Sequence, residues 1–285
     1  MSSPPTAATA AALSAALATT SSWPVGHLAV AVVGPHGPIA TTGDQLRPFR
    51  LASVTKPLAA LACLVAVEEG TLHLDEPAGE HGPEGVTVRH LLAHAGGYGF
   101  DTGVVQPPGR TRIYSNTGFD ALADHLALRA EMPAAEYVAA AVFEPLALAA
   151  TDLRDRSLAH GAWSTAHDLA RVAVELLRPT VVHPDTLAEA TRVQYPGLAG
   201  VLPGFGRQDP NDWGLGFELR AHKSPHWTGT TNGPDTFGHF GGSGTCCWVD
   251  PVIDHALVVL TDEPFGPWAA EAWPALSDAV VAALA

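Results

Sequence analysis

Lysine is nearly missing from this chain. Among 285 residues only Lys56 and Lys223 occur, and Lys and Arg together number 15 against 29 acids. The resulting net charge of −14 disfavours nucleic acid and anionic membranes as partners. Cysteine is scarce as well, with Cys63, Cys246 and Cys247 the full set. Neighbouring cysteines on a strand point to opposite faces, so no disulfide framework is implied, and a reducing compartment suits this usage. No apolar run reaches the roughly 18 residues that a membrane span needs. No Lys or Arg precedes Arg47, so the Ala-, Thr- and Ser-rich start lacks the positive n-region of a secretion signal. The expectation is a cytoplasmic protein. Internal repeats are absent too.

What is present is apolar material, 47% of the chain, enough for one large domain or two interleaved ones. Leu13 and Leu17, four apart in an Ala run, predict a modest amphipathic helix. Leu28–Val33, the turn at 34–37 and Ile39–Thr42 predict a hairpin with a buried first strand. Val54, Leu58, Leu61 and Val65 predict a helix from about Ser53 to Glu69, ended by Gly70. The middle reads as helical: Val88–Ala95, a helix carrying Phe119, Leu122 and Leu126, then Ala134–Phe143 and Thr165–Leu177. Residues 180–211 read as irregular, a candidate mobile flap. Strand signals return at Trp213–Leu219, Phe237–Gly241, Thr245–Val249 and Ala256–Leu260. A closing helix over Trp268–Leu284 is expected to break or restart at Pro274.

A two-stranded hairpin alone is marginal, so strands from both ends must share one antiparallel sheet. The expected fold is therefore α+β, with about five strands flanked by helices and a helical insertion. Residues 1–71 and 212–285 form the sheet part and 72–211 the insertion with its flap. A cleft between the two would face the start of the Ser53 helix.

Chemistry concentrates in Phe49-Arg50-Leu51-Ala52-Ser53-Val54-Thr55-Lys56-Pro57-Leu58. A serine hydroxyl is a poor nucleophile until its proton is removed. A lysine three residues on shares its helix face. Lysine titrates near ~10.4 when unperturbed, and burial or a nearby cation makes it a usable base. The other reading is a helix start with an exposed lysine in its first turn. His90 and His94 lie four apart, but no third ligand has sensible spacing, so they read as structural histidines with no metal. Asn116 or Thr117 reads locally as a helix N-cap.

The boxes together resemble the serine β-lactamase and penicillin-binding protein superfamily, in the branch of class C β-lactamases, esterases and D-aminopeptidases. Ser53-Val-Thr-Lys56 matches Ser-x-x-Lys. Tyr114-Ser115-Asn116 matches Tyr-x-Asn. His239-Phe240-Gly241 stands where Lys-Thr-Gly is usual, and surrounding blocks such as "LLAHAGGYGF" and "WGLGFELR" agree. The resemblance spans roughly residues 25–285. It implies a β-lactamase/transpeptidase-like fold and a cofactor-free serine hydrolase that cleaves a small ester or amide through an acyl-serine. It makes Ser53 the nucleophile, with Lys56 and Tyr114, held as a phenolate or near it, moving the proton. It implies an oxyanion hole from the N–H groups of Ser53 and Gly242, with Asn116, His239, Phe240 and Gly241 around the substrate.

The third box departs from the family. His239 can donate a hydrogen bond but is only partly charged at pH 7. Phe240 replaces a hydroxyl with apolar area. Weak selection for an anionic substrate is expected, with some preference for neutral or apolar acyl groups. Acyl transfer would use the same acyl-enzyme, and a non-catalytic binding or sensor relative would keep only the fold.

Overall fold

The computed structural model describes residues 6–79 and 82–285. Helix α1 (Ala7–Ala18) buries Leu13 and Leu17, as their spacing requires. Strands β1 (Leu28–Gly34) and β2 (Gly37–Gly43) form the hairpin, and β3 (Phe49–Arg50) follows. A 3₁₀ turn at Ala52–Val54 precedes α2 (Thr55–Glu68), so Ser53 lies in this turn and not in the helix itself. Pro57 is tolerated because N–H groups in the first turn have no intrahelical acceptor. Gly70, at φ +79°, follows the end of α2 in the left-handed conformation that suits glycine.

The middle contributes α3 (Val88–Leu92), α4 (Asn116–Ala130) and α5 (Ala134–Val138), which a π turn extends over Ala139–Phe143. Strands β4 (Asp152–Leu153) and β5 (Ala162–Ser164), then α6 (Ala166–Leu177) and α7 (Pro184–Ala190), complete it. Ser115, rather than Asn116 or Thr117, caps α4: its Oγ accepts from Gly118 N at 2.8 Å. Residues 180–211 are not irregular. They hold α7 and a hairpin of β6 (Gly200–Leu202) and β7 (Gly206–Gln208), both too short for periodicity to reveal. Of the strand expected over Trp213–Leu219, only Glu218–Leu219 forms, as β8. Strands β9 (Phe237–Gly241), β10 (Thr245–Asp250) and β11 (His255–Thr261) lead to α8 (Pro267–Leu284). That helix runs through Pro274 without restarting.

Six strands build the main sheet in the order β2-β1-β11-β10-β9-β8, every pairing antiparallel. Strands β1 and β11, from opposite ends of the chain, pair at its centre with Val30 opposite Val259. Both are apolar without alternation because both sheet faces are covered. Ala29, Ala31 and Val33 pack in one core with residues of α2 and α6. Val30, Val32 and Trp248 pack in a second with α1 and α8.

One buried cation ties the middle together. Arg112 is 1% exposed. Its guanidinium donates to Ala93 O and Gln194 O, each at 2.6 Å, and to Asn211 O at 3.0 Å. Burial lowers its pKa to about 10, which leaves it charged at neutral pH. Arg112→Met would orphan three buried carbonyls. The expected loss is about 3 kcal/mol or more, read as a lower denaturation midpoint, with earlier proteolytic cutting in the 194–211 segment.

Candidate active site

The Ser53 turn is fastened from both sides. Ala52 holds φ +47°, a strained setting for a residue with a side chain. The Thr55 hydroxyl donates to Ala52 O at 2.6 Å and accepts from Ala162 N at 3.0 Å, binding the turn to β5. From the sheet, Thr245 Oγ1 donates to Leu51 O at 2.7 Å and Ser243 Oγ to Arg50 O at 2.6 Å. Gly241 allows this approach: a Cβ there would stand 2.2 Å from Leu51 O. Gly241 is thus a spacer between β9 and the turn and lines neither cavity at Ser53. Gly242 lines both cavities beside Ser53, and its N–H meets no acceptor among the described residues.

Lys56 is fully buried. Its Nζ lies 3.4 Å from Ser53 Oγ, 2.7 Å from Asn116 Oδ1 and 2.9 Å from Ala159 O. Asn116 Nδ2 donates to Asp101 Oδ1 at 2.8 Å, which fixes the amide with its oxygen toward the lysine. Burial lowers the Lys56 pKa to about 7, against the opposing pull of Asp120 and Asp101. The neutral amine has two hydrogens and one lone pair. Ala159 O and Asn116 Oδ1 take the hydrogens, so the lone pair faces the Ser53 hydroxyl. The other lysine is engaged elsewhere: Lys223 Nζ donates to the buried Glu218 carboxylate at 2.7 Å.

Tyr114 does not have the character expected of it. Burial pushes its phenol well above the usual tyrosine range, and Glu218 and Asp101 add to the effect, with only Ser53 opposing. The hydroxyl makes no hydrogen bond of acceptable geometry among the described residues. Tyr114 is therefore a neutral phenol. The Lys56 ammonium, 4.7 Å from the ring centroid, does not offset the loss of solvent.

His239 differs from expectation too. It is 3% exposed, and burial lowers its pKa to about 3, with Lys56 adding to the shift. Its Nδ1–H donates to Phe240 O at 2.7 Å, so Nε2 carries a lone pair. At this box the histidine is a neutral acceptor, not a partly charged donor. Phe240 points to the other sheet face, against Phe265, Phe205 and Trp273.

Residues outside the three boxes complete the site. His94, read above as structural, lies 4.6 Å ring to ring from both Tyr114 and Trp213, and its Nδ1 accepts from Ser115 N at 3.2 Å. Trp213 also contacts His239 at 5.5 Å. The "LLAHAGGYGF" and "WGLGFELR" blocks held these two residues, but nothing local to either marks it as a neighbour of Tyr114. His90 does stay apart, stacked on Tyr195 at 4.5 Å.

Ser53 stands between two cavities. One, about 180 Å³, is lined by Tyr114, Phe100, Trp213, His239, Phe240 and Phe265 among others. The second, about 560 Å³, lies toward Asn116, Arg47, Arg50, His160, Trp163 and Asp262. The first is aromatic and the second mixed and polar.

Comparison with known proteins decides the family. The profile described as Beta-lactamase matches residues 28–281. This chain belongs to the beta-lactamase family. Within that family it is similar to a beta-lactamase of known structure from Mycobacterium bovis, 52% identical with a TM-score of 0.91, covering 94% of this chain and 99% of that one. Esterase EstB of Burkholderia gladioli is 40% identical over 25% of this chain and 24% of its own. Penicillin-binding protein 4* of Bacillus subtilis is 26% identical over 52% and 39%. The chain thus spans less than half the length of these curated relatives. The comparisons agree on a serine hydrolase at family level. No helix among the described residues is long and apolar enough to cross a membrane.

A lysine amine beside Ser53 that titrates at about 7 predicts a pH dependence. Below that pH the Lys56 ammonium has no lone pair for the Ser53 proton, and above it the amine is ready. Labelling of Ser53 by a fluorophosphonate should rise through about pH 7 and hold until the phenol ionises far into the alkaline range. A labelling rate that is flat from about pH 5 to 9 would remove Lys56 as the base.

Proposed function

We propose that the protein cleaves a small ester or amide through a covalent acyl-serine intermediate. The observation that carries this is the buried Lys56 amine, with both hydrogens engaged and its free pair toward Ser53. As the Ser53 oxygen attacks the acyl carbon, its proton passes to Lys56 Nζ. The carbonyl π pair moves onto the oxygen, which the N–H groups of Ser53 and Gly242 receive. Removing one such donor costs about 10²–10³ in rate in other enzymes. As the tetrahedral centre collapses, the leaving group departs with a proton relayed from Lys56 through the neutral Tyr114 hydroxyl. Water then repeats the sequence on the acyl-enzyme. Asn116 holds Lys56 in place and reaches the acyl side.

Tyr114 lines the aromatic cavity and not the wider one. The leaving group must meet its proton donor, so it belongs in the aromatic cavity, and the acyl group points toward Asn116. A flat apolar leaving group of aryl-alcohol size fits there. An anionic leaving group meets no free cation, because His239 is neutral and Lys223 is paired with Glu218. Three free buried thiols support the cytoplasm as the working compartment.

Two measurements test this reading. Intact-mass spectrometry after mixing with an activated ester should show one acyl adduct on the protein and none on Ser53→Ala. The ratio of kcat/KM for a p-nitrophenyl ester over a chromogenic cephalosporin should exceed about tenfold, since a buried carboxylate without a cation costs at least that. Equal turnover of the cephalosporin would overturn the leaving-group argument, and a normal adduct on the Ala variant would remove the nucleophile.

A further inference from the structure

The wider cavity is lined by two arginines that form no ion pair among the described residues. Arg47 and Arg50 both line it. Arg47 lies 5.8 Å from the Phe49 ring centroid, and neither guanidinium forms an ion pair among the described residues. Six other arginines each pair with an aspartate or glutamate. Arg47 and Arg50 differ from the other arginines without an ion pair in lining a cavity that Ser53 also lines. Asp262, in the same wall, forms no ion pair with either arginine among the described residues; its Oδ1 accepts from His27 N at 2.8 Å. His160, also in the wall, faces Asp155 at 3.5 Å.

The backbone beneath the two arginines is held. Arg50 pairs with Trp163 across β3 and β5, and its carbonyl accepts from Ser243 Oγ. The backbone of Arg50, three residues before Ser53, is thus held at the cavity wall, with Arg47 three residues further back. Guanidinium forks match a carboxylate in charge and planar geometry. The cavity, about 560 Å³, has room for an acyl chain of several carbons between the two.

We infer that the acyl half of the substrate ends in a carboxylate held by Arg47 and Arg50, which makes the substrate class half-esters or half-amides of dicarboxylic acids. This rests on the hydrolase reading and on the acyl group pointing toward Asn116. It places anion selection on the side away from the third box, whose neutral His239 holds none.

The test compares kcat/KM for mono-p-nitrophenyl adipate and p-nitrophenyl hexanoate, which share a leaving group and a chain length. Ser53→Ala provides the blank. The half-ester should be preferred by about ten- to a hundredfold, and 0.5 M salt should shrink the preference. In the Arg47→Gln/Arg50→Gln protein the ratio should fall toward one. A wild-type ratio near one, or a ratio that survives the double substitution, overturns the inference and leaves the hydrolase reading standing. If neither ester is turned over, the hydrolase reading falls instead. Binding to Ser53→Ala, followed by calorimetry, then decides: monomethyl adipate should bind more tightly than methyl hexanoate, and the double arginine substitution should abolish the difference. Equal binding of the two ligands overturns the inference.

Discussion

The site depends on an amine deprived of water. Lys56 sits at 0% exposure in a helix that is buried almost throughout. Left alone, that burial would drive its pKa far down and leave it a weak base. Asp120 and Asp101 oppose the shift, and the result is about 7, so that amine and ammonium are both populated near neutral pH, as the proposed proton transfer requires. The balance needs both parts of the chain. Ser53 and Lys56 come from the turn and helix that follow the first strands. Asn116, Ala159 and the two acids come from the middle. The candidate site is where these segments meet.

The same logic explains how Ser53 is held. A serine in a short 3₁₀ turn, next to an alanine in a left-handed conformation, would relax if left free. Thr55, Thr245 and Ser243 each spend a hydroxyl on the turn or its approach. Each lies in or next to a recognisable box, so the boxes serve the backbone as much as the reaction. Gly241 shows this most directly: it is demanded by the carbonyl of Leu51, which needs the space a Cβ would fill.

Much of this was legible in the sequence. The three-residue spacing of Ser53 and Lys56 suits one shared face, although Ser53 lies in the turn before α2, and the apolar stripe behind it marks a buried helix. The valine-rich β1 and β11 had to be central strands. Other features could not be read that way. His94 and Trp213 reach Tyr114 through contacts across many residues, and their local sequences suit ordinary packing equally well. Residues 180–211 looked irregular because α7 and the β6–β7 hairpin are shorter than the windows that reveal periodicity. Pro274 failed to break α8 because tertiary packing of Trp273, Leu276 and Val280 outweighs one lost hydrogen bond.

The protonation states of Tyr114 and His239 were misread for one physical reason. From sequence, a neighbouring lysine promises a depressed phenol. In the folded chain the phenol, His94, Trp213 and His239 pack ring against ring with little water. Desolvation then outweighs a single cation that is itself close to neutral. His94 accepts through Nδ1 and so presents Nε2–H, whereas His239 donates through Nδ1 and so presents a lone pair. The Tyr114 hydroxyl can accept a proton from one side and donate one to the other without becoming an anion. Replacing the family's third-box lysine by a neutral histidine removes the second cation that could have stabilised a phenolate. In the proposed mechanism the base role then falls to Lys56, with Tyr114 as the relay.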